Sequence, residues 1–296
     1  MAGITVDSDV SKDDLVIPLI DFAPFLSNDA SAKQSIAKAV LDGFQGAGFI
    51  YLKNHGISTS TAPNVFSHSA NVAANRGYVA HGREKDVPLD ETGTEGELRK
   101  IVPDLKVTME IGRDDQPETP NMWPTGDEGA AAFKKEMATF FETCKSLHMQ
   151  VMRAIALGMV MKESWFDSFT DAGDNTLRLL HYPGVSKQVF RRDDGHLQVR
   201  ASEPSDYGRQ WWLQVRSPKG TFVDATPIEG TIVVNAGDLL ADDKDSYPPR
   251  YSIANFCNPN YERMIEAITG TYEKAGRKYG DVTSGDYLVQ RLTATY

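Results

Sequence analysis

From Asn175 onward the hydrophobic pattern of this chain changes from a helical period to an alternating one, and that switch restricts the fold most. Before it, residues 130–161 carry Phe133, Met137, Phe140, Cys144, Leu147, Val151 and Ile155 on one stripe. A stripe at this spacing is a helix face turned to a core, so a long scaffold helix lying along a sheet is expected. After it come short β-branched and aromatic runs at 177–181, 197–200, 211–216, 221–225, 231–235 and 250–257. Pro218-Lys219-Gly220 and Glu229-Gly230 supply turns between them. Short strands at this spacing point to a β-sandwich or a jelly roll.

The first half is mixed. Residues 16–21 read as a strand, 32–44 as an amphipathic helix with Ile36, Val40, Leu41 and Phe44 on one face, and 49–52 as a second strand. Gly46-Ala47-Gly48 breaks the helix and Asn54-His55-Gly56 closes the strand. Residues 63–75 are expected to be helical. Residues 77–124, with five prolines and many acids, are expected to wrap the surface as loop. A last helical stretch covers 284–292. One domain over 1–296 is expected: an N-terminal region 1–174, a β-rich core 175–260 and a C-terminal helical tail 261–296.

The net charge of −10 and a pI near 5.1 exclude the basic face that nucleic acid or an anionic membrane requires. No apolar run reaches transmembrane length, and the acidic start carries no signal-peptide pattern. Cys144 and Cys257 both read as buried thiols rather than a bridge. A cytoplasmic protein is the expectation, with a small molecule as partner and no oligomeric state specified.

The chemistry concentrates in Pro248-Pro249-Arg250-Tyr251-Ser252-Ile253. Arg and Ser two apart on a strand share a face, where they offer a guanidinium fork and a hydroxyl to one small carboxylate. Other chemistries find no footing. There is no Gly-x-Ser-x-Gly elbow, no phosphate-cradling glycine loop and no cysteine pair at zinc spacing. The acidic pairs Asp193/Asp194 and Asp242/Asp243 read as solvated loop charge.

Taken with Asn235-Ala236-Gly237-Asp238-Leu239-Leu240 and His181-Tyr182-Pro183, that run resembles the iron(II)/2-oxoglutarate dioxygenases of the isopenicillin N synthase-like family, especially its fungal specialised-metabolism members. Ile17-Pro18-Leu19-Ile20-Asp21, the stretch from Gly48 to Gly56, the block Asp174 to Pro183 and Phe222 to Pro227 match the family's elements in order, so the resemblance covers nearly the whole chain. It implies an α+β fold with a double-stranded β-helix (jelly-roll) core, an N-terminal α/β half and a long scaffold helix. It implies an oxidoreductase that hydroxylates, desaturates or ring-closes a small molecule, with Fe(II) and 2-oxoglutarate as cofactors. Arg250 and Ser252 match the family's R-x-S, and Tyr182 the tyrosine that joins them at the far carboxylate of 2-oxoglutarate.

Such a metal needs two imidazoles and one carboxylate on one face, from an H-x-D strand and a later histidine. Here the matching stretch is Pro204-Ser205-Asp206-Tyr207-Gly208, so Asp206 is the one metal ligand retained. Proline ligates nothing, and the residues between Asp238 and Arg250 include no histidine. Both places are also short by a strand, so a shortened core is expected. His196 reads as a turn residue, His55 as part of a tight turn, and His181 as facing away from Tyr182. His68, His81 and His148 lie in the helical and loop half. No catalytic side chain is singled out, and weak or absent iron-dependent turnover is expected. The alternative reading is a metal-independent small-molecule-binding pseudoenzyme, or a non-oxidative cyclase or isomerase, on the same fold.

Overall fold

The computed structural model describes residues 7–12, 14–57, 70–71, 76–80, 105–126, 128–186, 213–217, 219, 221–226, 228–235, 246–247, 249–266 and 280–295. The first elements are β1 (Asp7–Lys12), β2 (Leu15–Asp21), α1 (Ala30–Gly46), β3 (Phe49–Lys53), β4 (Ala70–Asn71), β5 (Arg76–Val79) and β6 (Val107–Ile111). Then come α2 (Glu128–Gly158), α3 (Asp167–Thr170), β7 (Thr176–Tyr182), β8 (Val185–Ser186), β9 (Leu213–Arg216) and β10 (Phe222–Ala225). The last are β11 (Thr231–Asn235), β12 (Ser246–Tyr247), β13 (Arg250–Phe256), β14 (Met264–Ile265), β15 (Val282–Thr283) and α4 (Ser284–Thr295). Among the described residues no helix is long and apolar enough to cross a membrane.

Asp29 starts α1 by accepting from the amides of Ser31 and Ala32 at 2.8 and 3.1 Å, satisfying donors that the first turn leaves open. The helix buries Ile36, Ala37 and Val40 against Leu147, Val151 and Ala154 of α2 and against Ile50 and Leu52 of β3. Burying each large aliphatic side chain contributes about 1.5–3 kcal/mol. Gly48, at φ +72°, supplies the reversal into β3 that a side chain would resist. One sheet runs β1-β2-β3-β11, with β2 parallel to β3 and the other pairs antiparallel. Leu15, Ile17, Leu19 and Tyr51 pack with Val215 and Val223 of the β9–β10 hairpin.

The second sheet runs β13-β7-β6-β5-β4, antiparallel throughout. Its outer face sets Met109, Ile111, Leu177 and Leu179 against Phe133, Met137, Phe141 and Cys144 of α2. The scaffold helix is therefore as the stripe predicts, with Phe141 rather than Phe140 in the deep position. Burial pushes the Cys144 thiol up to about 12, which makes it inert packing. Gly112 follows β6 because Arg76 fills its space: a Cβ there would collide with the guanidinium.

Three expectations change. Residues 77–124 are not merely loop: β5 and β6 lie inside the second sheet. The prolines and acids outvote a five-residue alternation in a sequence reading, yet Thr108 and Glu110 alternate with apolar Met109 and Ile111 as a strand requires. Within 63–75, the described Ala70–Asn71 is strand, paired with β5, rather than helix. Cys257 is exposed, because it falls one residue past β13 where the chain leaves the sheet.

His148 sits in α2, buried next to Asn175, and burial lowers its pKa from 6.5 to about 4. The folded chain keeps it neutral where the unfolded chain would protonate it. Stability from this residue is therefore present above pH about 6.5 and is lost as pH falls toward about 4. His148→Leu is expected to flatten the fall of Tm between those pH values, measured by thermal denaturation. An unchanged slope would place the acid sensitivity elsewhere.

Candidate functional site

The second sheet has one apolar face, and its opposite face is polar yet covered. Register builds that face in rows. Arg250 stands opposite Tyr182. Ser252, Leu180, Thr108 and Val79 form the next row, and Ala254, Arg178, Glu110 and Gly77 the one after. Phe256 and Thr176 close the series. Because directly opposed residues in antiparallel strands share a face, Tyr182, Arg250 and Ser252 stand together. Tyr182 is 2% exposed and Ser252 half-buried. The residue types in these two rows are a guanidinium and two hydroxyls, groups that can donate to a small anion.

His181 takes the other face, where its ring stacks on Tyr251 at 4.5 Å between centroids. His148 lies in α2 against the sheet's outer side, and His55 sits in the turn after β3, its Nδ1 accepting from the Ile57 amide at 3.2 Å. Burial keeps the His55 pKa low. None of these three belongs to the polar face. Asp206, Pro204 and His196 lie outside the described residues, as do His68 and His81. Among the described residues no group of three His, Cys, Asp or Glu side chains is placed to hold a metal ion.

Sequence reading missed the middle of the face. Glu110 is 1% exposed and forms an ion pair with Arg178, itself buried, across β6 and β7. The Arg178 guanidinium carbon lies 5.1 Å from the Phe256 ring centroid, and Phe256 is 41% exposed. The signal for Glu110 was its alternation with Met109 and Ile111, concealed by the loop-like composition around it.

Register itself is fixed outside the face. The Asp174 carboxylate, just before β7, accepts from Gln116 Nε2 at 3.0 Å and from the Tyr261 amide at 2.7 Å, and forms an ion pair with Arg113, whose Nε lies 3.0 Å away. Asn175 Oδ1 accepts from the Asn258 amide, and Asn258 Nδ2 donates to the Asp174 carbonyl, both at 3.0 Å. Asn260 Nδ2 donates to Asp171 Oδ1 at 2.7 Å. The segment that leaves β13 is thus tied to the segment that enters β7.

Residues 17–126 match the family model described as non-haem dioxygenase in morphine synthesis N-terminal. A Metarhizium majus protein, "2-oxoglutarate-Fe(II) type oxidoreductase ppzD", is 27% identical over 338 aligned residues, covering 94% of each chain. A full-length Neurospora crassa protein, whose crystal structure was solved in complex with alpha-KG and thymine, is 46% identical, with a TM-score of 0.80 over 98% of this chain and 100% of that one. The same protein with alpha-KG alone gives 45% and 0.79, over 97% of this chain and 98% of that one. These relatives carry oxidoreductase names and a jelly-roll fold, and do not favour the pseudoenzyme alternative.

Removing one partner of the buried ion pair should cost more than removing both. Glu110→Ala is expected to lose about 3–5 kcal/mol, while Glu110→Leu with Arg178→Met loses clearly less. Urea denaturation of the wild type and these two variants measures this. Equal losses would mean that the pair is solvated.

Proposed function

Because the chain belongs to the iron(II)/2-oxoglutarate-dependent dioxygenases, a family of oxidoreductases, we propose that it moors 2-oxoglutarate at Tyr182, Ser252 and Arg250 and acts on a small planar nitrogen heterocycle. The observation that carries this reading is the order of rows on the covered face. The anion donors of Tyr182, Arg250 and Ser252 adjoin an ion pair with a ring beside it. Arg178 donates and Glu110 accepts, which matches a ring that alternates carbonyl and N–H groups. Phe256 offers such a ring a stacking surface. The thymine held by the Neurospora crassa relative has this pattern and supports a pyrimidine base as substrate class.

Two-oxoglutarate fits the residues present; the metal end does not make the family's donor set. Of the expected ligands Asp206 alone is retained, with Pro204 in an imidazole's place and no histidine between Asp238 and Arg250. Loss of two imidazoles removes most of the affinity for iron. We read the core as shortened at these two points. The 338 aligned positions of the Metarhizium majus match, more than the 296 residues of this chain, support that reading. The single-domain reading over 1–296 is supported by pairing of early with late strands, β3 with β11 and β6 with β7. A cytoplasmic setting is supported by the two unbridged cysteines.

Purified protein with ferrous iron, ascorbate and carboxyl-labelled 2-oxoglutarate is expected to release little carbon dioxide. Vigorous release that disappears in Asp206→Ala would overturn the reading of a depleted metal end. For the substrate, thymine should perturb the intrinsic fluorescence or raise the Tm of the wild type, and Arg178→Leu should abolish that response. A response unchanged in Arg178→Leu would remove the ion pair from the substrate's place.

A further inference from the structure

Gln116, in the loop that follows β6, is half-buried and stands between two charges. Its Oε1 accepts from Arg76 Nη2 at 3.0 Å and from Thr119 Oγ1 at 3.2 Å, and its Nε2 donates to Asp174 Oδ1 at 3.0 Å. A guanidinium only donates and a carboxylate only accepts, so one orientation of the carboxamide satisfies both. The loop is shaped to present it: the Gly112 amide donates to Asn121 Oδ1 at 2.8 Å, and the Gly112 carbonyl accepts from Asn121 Nδ2 at 2.7 Å. Both charged partners are buried, Arg76 and Asp174 each 2% exposed.

These residues stand at the ends of three neighbouring strands. Arg76 opens β5, Gln116 follows β6 and Asp174 precedes β7. The Tyr261 amide, bound to the same carboxylate, brings in the segment after β13. One side chain thus ties the sheet together at its Thr176–Phe256 end. The next row on the polar face is Ala254, Arg178, Glu110 and Gly77, and Gly77 directly follows Arg76 in the chain. Tyr182 stands at the other end of β7, about 20 Å from Thr176 at the rise of a strand.

We propose that Gln116 is a positioning residue for the heterocycle: through Arg76 and Asp174 it fixes the row in which Arg178 and Glu110 meet the ring. This rests on the substrate reading given above, and adds to it a residue that acts through its neighbours. A ring read by one donor and one acceptor tolerates little relative shift of β6 and β7, because a hydrogen bond weakens steeply outside its distance and angle range. Without the carboxamide, a buried guanidinium and a buried carboxylate each lose a partner, and the strand ends must move to re-satisfy them. The disturbance is largest at the clamped end and dies away toward Tyr182, so the ring's place is affected and the carboxylate's is not.

Isothermal titration of the full chain with thymine, and separately with 2-oxoglutarate, tests this. Gln116→Leu is expected to weaken thymine by about tenfold or more and to leave 2-oxoglutarate within about twofold. Gly112→Ala, whose added Cβ displaces the Arg76 guanidinium, should reproduce the selective loss without touching Gln116. Gln116→Glu keeps the bond from Arg76 but sets a second carboxylate against Asp174; it should lose thymine in the same way, and serves if the Leu variant fails to fold. If the wild type binds thymine and Arg178→Leu does not, while the Gln116 and Gly112 variants bind it like the wild type, the clamp is overturned and the substrate reading stands. If the wild type binds no thymine, or Arg178→Leu binds it like the wild type, the substrate reading falls and the clamp with it. Equal weakening of both ligands would also overturn the positioning role, because it would reflect a general loss of structure.

Discussion

The pairing register of β7 with β13 is the constraint on which the rest depends. Side chains on a strand alternate with a period of two, so a slip of one residue would turn Arg250 and Ser252 to the outer face and bring Tyr251 inward. The ladder by itself tolerates such a slip poorly but does not forbid it. What removes the freedom is the knot at the end of the pair, where Asp174 and Asn175 hold the backbone and side chain of Asn258 and the backbone amide of Tyr261. Asn260 adds a further tie by donating to Asp171 and accepting from the Ala172 amide. With both strand ends fixed, Tyr182 faces Arg250 because no other alignment satisfies these polar groups.

The same sheet keeps two unlike faces. On one side Leu177, Leu179, Met109 and Ile111 pack on α2 and supply hydrophobic stabilisation. On the other, Thr108, Glu110 and Arg178 are taken out of water. A buried ion pair such as Glu110–Arg178 gains little net stability over an apolar pair of similar shape. Retaining it on a buried part of the sheet costs folding energy that an apolar core would not. The apolar face gives the sheet the stability to carry the polar one.

In the function proposed above, the two ends of the family's site differ in this chain. The carboxylate end depends on residues of β7 and β13, which are held by the scaffold helix and by the knot at Asp174. The metal end depends on the H-x-D stretch and a later histidine, and there the sequence keeps Asp206 and replaces or omits the nitrogen donors. A guanidinium cradle and an imidazole triad are chemically independent, so a chain can keep one without the other.

Much of this was legible in sequence because it rests on local periodicity. The stripe from Phe133 to Val151 fixes a helix, the alternation at 231–235 fixes a strand of those bounds, and Arg250-x-Ser252 fixes a shared face. Glu110 and β6 were not legible. Five residues of alternation inside a proline-rich, acidic stretch carry less weight than their surroundings, and only pairing with β5 and β7 makes them a strand. The staples at Asp174, Asn258 and Asn260 carried no signal of their own, since a turn former and a tertiary staple have the same local chemistry. The sequence alone determined which residue types stand two apart at Arg250 and Ser252 and where histidines do and do not occur, because composition and spacing are covalent facts. Only the tertiary structure decided that Thr108, Glu110, Arg178 and Leu180 share one face, because that depends on register between strands up to seventy-odd residues apart, which no local pattern encodes.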